Sequence, residues 1–412
     1  MNKYSDLNFL RRPVDITSPF LLNFILFLYF IIMPFWVADK SQEHYVALIV
    51  AFFGFASLNI GLLIKVRPMD NSVISDFSRA KMVDIFVIFF VGYDLLRFFD
   101  FLLNGASQVS YHQIYSKHGW GLYILLFWVM LGFLKYYCYS LILSRGRKIF
   151  WILFLISLCS ASVGRARFEL VSVVMFFVIF GVLNDYLRIR LYQLMVGLVV
   201  APVFMLFLLI KRNIVGDFNF LQMWNLIFEK LKVLWGDSDM SRELLVSMEA
   251  PATFEIFTRV IEDKFVRPES GVIRIFFNFI PRELWPEKPL PMQIELARIY
   301  NPSGFEAGGG VFANIYGDSY ANAGIFGVVL LPFLVGLLLN IAYKNASSPS
   351  SVNAVSVGFY AVLVVYFANF YRGYFSDMTW QVILLYVIFW LSNQFLGRFN
   401  GLGLKFFPDS KG

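Results

Sequence analysis

Arginine is the residue type in this sequence that first suggests chemistry. Between residues 264 and 327 the chain reads KFVRPESGVIRIFFNFIPRELWPEKPLPMQIELARIYNPSGFEAGGGVFANIYGDSYANAGIFG, which sets Arg267, Arg274, Arg282 and Lys288 among Glu269, Glu283 and Glu287. Further arginines stand in tight turns between apolar stretches: Arg165 and Arg167 in GRARFE, and Arg372 in NFYRGYFSD. A guanidinium stays charged and grips two phosphate oxygens at once through its planar fork, so cations gathered in this way suit a lipid-linked diphosphate. Each also has a plainer reading. Those in the long stretch can be ion pairs that hold it together, and those in the turns can be headgroup contacts or local pairs, such as Arg165 with Glu169 four residues on.

The stretch that carries most of these cations does not resemble a solvated linker. Phe276, Phe277, Phe279, Ile280 and Trp285 alternate with its charges, and Pro281, Pro286, Pro289, Pro291 and Gly308 to Gly310 punctuate it. That composition predicts an ordered loop with fixed turns and a buried face of its own. Other motifs exclude themselves. GDSD at Asp237 and Asp239 imitates a nucleotide-sugar D-x-D, but the topology places it outside the cell. GFEAGGG lacks the spacing of a phosphate-binding P-loop, and Asn345 opens a glycosylation sequon on the cytoplasmic side. Cys138 and Cys159 fall within apolar runs, so a disulfide framework or a cysteine metal site is not expected, and His44, His112 and His118 are too scattered to suggest a metal cluster.

The elements that must position these residues are membrane spans. Of 412 residues 58% are hydrophobic and 19% aromatic, against 15% charged, which is the composition of a polytopic membrane protein. Ten apolar runs approach the ~20 residues needed to cross the hydrocarbon core. They lie near residues 19–38, 45–64, 82–103, 120–143, 149–163, 168–187, 191–210, 320–343, 353–371 and 377–397. With the N-terminus inside, sixteen Lys and Arg fall on inner segments and five on short outer loops, so the net charge of +7 reads as a topology signal and not as a nucleic-acid footprint. The expected architecture is all-α with both termini cytoplasmic: a bundle over 1–210, a large outer loop over 211–318, and a second bundle with a short tail over 319–412. Within the loop, residues 218–235 suit an interfacial helix, and 253–265 an amphipathic one with Phe254, Phe257, Val260 and Ile261 at helical spacing. In the third span Asp94, Arg97 and Asp100 recur every three residues, which suits either a self-neutralising triad or the polar wall of a cavity. Lys135 is near enough to the cytoplasmic end of the fourth span to snorkel.

Four segments carry a resemblance. GRAR after the fifth span, IPRELWPEKP in the large loop, IYGDSYANAGIFGVVLLPFLVG entering the eighth span and YRG between the last two resemble the Wzy-type O-antigen and oligosaccharide repeat-unit polymerases. The resemblance implies a GT-C-like glycosyltransferase of the bacterial inner membrane that needs no metal, nucleotide or other cofactor. Its substrates would be undecaprenyl-pyrophosphate-linked repeat units met at the periplasmic face, with membrane lipid, a flippase and a chain-length regulator as partners. The location agrees with the residues: the cytoplasmic loops, the longest about 17 residues, are too short to fold a nucleotide-sugar-binding domain.

Such a reaction needs cations for the departing diphosphate and a base for the acceptor hydroxyl. Arg165, Arg282 and Arg372, which match the family segments, are the first choices for the cations, with Arg274 and Lys288 behind them. Asp318, where the loop re-enters the membrane, and Glu306, before the glycines, are the candidate bases; hydrogen bonding to loop backbone is the plainer role for both. Other classes fit less well. A transporter or flippase is often built from paired halves, and no internal repeat is visible. The related ligases use a histidine in the large loop, whereas residues 211–318 contain none. A membrane O-acyltransferase would be expected to place one in a span.

Overall fold

Apolar periodicity and the need to satisfy every backbone group inside lipid both favour helices, and the chain folds accordingly. The computed structural model describes residues 15–38, 40–67, 81–104, 121–143, 146–163, 167–194, 196–197, 225, 249–277, 280, 284–306, 309–347, 354–373, 375 and 379–387. Among these residues there are helices and turns but no strands. The first six helices are α1 Pro19–Val37, α2 Gln42–Leu63, α3 Lys81–Asn104, α4 Gly121–Leu143, α5 Arg147–Val163 and α6 Arg167–Leu183. They are followed by α7 Glu249–Glu262, α8 Val272–Phe277, α9 Met292–Tyr300, α10 Pro302–Glu306, α11 Asn314–Ser347 and α12 Ala354–Arg372.

Three helices, α1, α2 and α11, are long and apolar enough to cross a membrane. Helices α3, α4, α5, α6 and α12 also stand where the sequence reading places spans, with ends shifted by at most four residues. Most of the seventh and tenth expected spans, and residues 218–235 apart from Asn225, lie outside the described residues. Pro34 has no N–H to offer its own helix, and α1 takes up the defect as a π-helical turn over Leu28–Ile32 just before it.

The α2–α11 pair is the most extensive contact in the bundle. Helices in lipid gain little from hiding apolar surface from one another, so close backbone approach between small residues takes over. A Cβ on Gly61 would come within 2.3 Å of the Phe333 carbonyl oxygen, and one on Gly336 within 2.2 Å of that of Leu58. Ser57 Oγ donates to the Val329 carbonyl at 2.5 Å, and Asn340 Nδ2 to that of Ile64 at 2.7 Å, pinning the register at both ends. Helix α12 packs on α11, α6 and α4, while α3 packs on α5 and α4.

Helix α11 begins six residues before the expected span and breaks within it. Ala323 (φ −156°, ψ 30°) and Gly324 (φ 58°, ψ −146°) separate a short segment, 314–322, from the long apolar one. The positive φ at Gly324 is open to glycine at no steric cost. Asp318 therefore lies about one turn inside a helix. Helix α7 realises the expected amphipathic element slightly upstream: Phe254, Phe257 and Val260 are buried against α1, α2 and α11, whereas Ile261 is only partly covered.

The charges of α3 correct two expectations. Asp94 is buried and accepts from Lys135 Nζ on α4 at 2.8 and 2.6 Å, from Tyr139 at 3.2 Å and from Ser160 on α5 at 3.1 Å. Lys135 thus turns inward to a carboxylate instead of snorkelling. Arg97 forms a two-pronged pair with Glu169 on α6, its Nη2 at 2.9 Å from Oε2. Asp94 and Arg97 are thus paired across helices, with partners from three neighbouring ones. Glu169, expected four residues from Arg165, is engaged by Arg97.

Candidate functional site

Of the candidate residues, the structure brings Arg372 and Asp318 together around the turn that ends α12. Tyr371 is fully buried; its hydroxyl donates to Asn23 of α1 and lies 2.9 Å from that of Tyr316 in α11. Three helices are tied together at that point, immediately before Arg372. Gly373 follows with φ 107°, a conformation that favours glycine. Its position is crowded as well, since a Cβ there would lie 3.1 Å from the Asn314 backbone nitrogen.

The Arg372 side chain is held on two sides. Its Nε pairs with Glu249, the first residue of α7, and its guanidinium carbon lies 4.7 Å from the centre of the Phe312 ring. Arg372 and Glu249 are 28% and 30% exposed, so the pair is oriented by the fold and still reachable from solvent. Asp318 is almost wholly buried. One oxygen accepts the Phe375 N–H at 2.8 Å and the other faces Asn322 Nδ2 at 3.2 Å. A carboxylate engaged in this way ties the segment after Arg372 to the start of α11, which is the backbone-bonding role.

Asn322 continues the chain of contacts towards Arg274. Its side-chain oxygen accepts the Val272 N–H at 2.5 Å, and the Arg267 N–H bonds the Ala321 carbonyl at 2.7 Å. Trp380 donates its indole N–H to the Ile275 carbonyl. Helix α8, which carries a half-buried Arg274, is thereby fastened to the break in α11 and to the helical residues 379–387. Lys288 is buried and donates to the Ile280 carbonyl at 2.9 Å, closing the proline-rich turn. Glu306 is exposed at the end of α10 and makes no hydrogen bond or ion pair among the described residues. Arg165 and Arg282 lie outside the described residues.

A second polar region adjoins the same helix α7. Ser41 caps α2, and the His44 ring lies 2.7 Å from Ser41 Oγ through Nδ1 and 3.4 Å from Glu255 Oε2 through Nε2. These residues, with Glu43, Thr258, Arg259, Glu262, Asp263 and Tyr300, line a cavity of about 580 Å³. Tyr300 donates to Asp263 at 2.8 Å; burial, reinforced by that carboxylate, pushes its phenol above the usual value. The scattered histidines of the sequence reading concealed this contact, which joins residues more than two hundred positions apart. The one local signal was a serine cap with histidine three residues later. Glu249, partner of Arg372, was missed for the same reason.

Residues 272–398 match a domain of unknown function, DUF8712. Arg274, Arg282, Lys288, Glu306, Asp318 and Arg372 all fall within the matched region, and Arg165 outside it. No curated protein and no solved structure matches the chain.

Proposed function

We propose that the protein polymerises lipid-linked oligosaccharide repeat units, transferring a growing glycan from undecaprenyl pyrophosphate to the hydroxyl of an incoming unit at the outer face of a bacterial inner membrane. The observation that carries the reading is the setting of Arg372, a partly exposed guanidinium oriented by Glu249 and Phe312 at the end of an apolar helix. A lipid diphosphate approaching along the bilayer needs a cation at that depth, and a preorganised one stabilises the leaving charge without reorganising during reaction. The segments that resemble the Wzy-type polymerases support the same assignment, and Arg372 lies in one of them. In this reading Arg165, Arg274 and Arg282 join Arg372 around the diphosphate, while Asp318 and Lys288 hold the turns that present it. Ten spans in a GT-C-like arrangement, both termini cytoplasmic and one large periplasmic loop complete the proposal, with a flippase supplying substrate and a chain-length regulator acting on the product.

The test is polymer synthesis from purified lipid-linked repeat unit by the full chain in detergent, with protein amount and monodispersity matched across variants. Arg372→Ala is expected to reduce turnover by about 100 to 1,000-fold, by analogy with the loss of one electrostatic donor elsewhere. Arg372→Lys keeps the charge but loses the fork, and should recover only part of the activity. Near-normal synthesis by Arg372→Ala removes the diphosphate site. A deletion strain separates this reading from a flippase: single repeat units on the lipid A core are expected, and their absence favours the transporter.

A further inference from the structure

Helix α8 lies in a stretch whose composition predicts a buried face, and it has one: Ile275 is turned into the protein. Its other face is bare. Ile273, Phe276 and Phe277, at the i, i+3 and i+4 spacing of one side of a helix, are all exposed, Phe276 to 67%. The Trp285 ring meets that of Phe277 edge-on with centroids 5.5 Å apart, and Leu284, next to Trp285 in the chain, is 78% exposed. The helix and the turn after it thus present one apolar patch, a surface that proteins seldom leave in water without a use.

The depth of the patch follows from what α8 is tied to. The side-chain oxygen of Asn322 accepts the Val272 N–H, and Gly271 packs so closely on it that a Cβ there would collide with the Asn322 side chain. Asn322 is the last residue before the break in α11 at Ala323 and Gly324. Beyond the break the chain runs from Ile325 to Tyr343 without a charged residue and then reaches Lys344. At 1.5 Å per residue that run is about 27 Å long, close to the ~30 Å of the hydrocarbon core. The break therefore marks one edge of the core, and α8 is fastened at that edge. The outward row of α11 starts at the same place: Ile325, Phe326, Val329 and Leu330 share one helix face and are all exposed.

We propose that α8 and the turn after it form a membrane-interface anchor, in which Ile273, Phe276, Phe277 and Leu284 insert into one leaflet beside the lipid-facing side of α11. The partner is the lipid surface because the patch adjoins the exposed row of α11 at the end of the hydrocarbon run, where a soluble protein would have to displace lipid to reach it. Trp285 suits that depth, since its ring is apolar and its N–H can meet water or headgroup oxygens. The backbone of α8 suits it as well. A short helix has orphan N–H and C=O groups at its ends, and away from water these need partners within the protein. The first N–H of α8, that of Val272, is taken by Asn322, and the Ile275 carbonyl near the other end accepts from Trp380. The inference rests on α11 being a membrane span and is independent of the transfer reaction.

The test places the full chain in nanodiscs of phosphatidylcholine and phosphatidylglycerol. Cys159→Ala removes the exposed thiol and Cys138 is buried, so one added cysteine can carry an environment-sensitive fluorophore. Phe326→Cys on α11 is the lipid reference, and Glu262→Cys, exposed at the end of α7, the aqueous one. Labels at Phe276→Cys and Leu284→Cys are expected to emit to the blue of the Glu262→Cys label. Nitroxide-bearing lipid should quench them as it quenches Phe326→Cys, and aqueous iodide should quench them several-fold less than Glu262→Cys. Ile273→Cys gives the same reading if either variant folds poorly. Iodide quenching of the patch as strong as at Glu262→Cys, with Phe326→Cys protected, overturns the anchor and leaves the span standing. Protection from both quenchers overturns it too, because protein then covers the patch: a second copy if the particle holds two chains. Strong iodide quenching of Phe326→Cys removes the span, and the anchor with it.

Discussion

Two charged regions of the molecule differ in how far their charges are covered. Around α3, Asp94 has Lys135, Tyr139 and Ser160, and Arg97 has both oxygens of Glu169. The Asp94 and Lys135 side chains are 2% and 17% exposed, those of Arg97 and Glu169 28% and 35%, and positive meets negative across three helices. Around α7, Arg372 and Glu249 are reachable, and carboxylates outnumber cations in the cavity before His44. An ionisable group at membrane depth is by default a functional candidate, and the α3 cluster fits that description in the sequence. The burial and pairing of Asp94 and Lys135 show that part of it to be a fastening. Asp94 and Lys135, matched and covered by neighbouring helices, have little capacity left for a ligand, whereas Arg372, oriented and partly exposed, retains it; Arg97 and Glu169, 28% and 35% exposed, resemble Arg372 in this respect.

The largest expected effect tests the fastening. Lys135→Ala leaves Asp94 buried without its cation and should destabilise the protein by about 3–5 kcal/mol, as for other broken buried pairs. Thermal or denaturant unfolding in detergent measures it, and the double variant Asp94→Asn with Lys135→Met should recover much of the loss. A single variant as stable as the wild type would return the α3 cluster to the functional candidates. Asp318→Asn should have a smaller effect. The amide keeps one acceptor but weakens the charge-assisted bonds from the Phe375 N–H and Asn322, at roughly 1.5–3 kcal/mol. Because these bonds hold the turn after Arg372, polymer synthesis should fall alongside stability in the same preparation. Activity lost with stability intact would instead make Asp318 a reacting group.

Local pattern explains which features were visible before the structure. The helices α1, α2 and α4 are read from runs of Leu, Phe and Ile, and α7 from the spacing of Phe254, Phe257 and Val260, because burial of one face needs only periodicity. Arg372 could be singled out since an arginine between two apolar runs is costly without a purpose. What the sequence concealed were the partners. Lys135 looked like a snorkelling residue because its carboxylate lies 41 positions away, and His44 looked isolated because Glu255 lies on another helix. The break in α11 was hidden as well: Gly324 is one glycine among several in an apolar run, and its positive φ has no local signature.

The smallest expected effect separates the two readings of a carboxylate near the site. Glu306 and Glu255 are both on the loop side of the chain, but Glu306 ends the short helix α10, exposed and without a partner among the described residues. Glu255 is anchored to Arg259 and faces His44. Removing the charge at an exposed, unpaired position usually changes stability by no more than about 0.5 kcal/mol, so Glu306→Gln should unfold with the wild type. It should also make polymer at the wild-type rate, since an exposed carboxylate without a partner among the described residues is not held for a reaction. A Glu306→Gln protein that folds normally but makes no polymer would put the base at the glycine-rich segment. The exposed carboxylate would then be the reacting group.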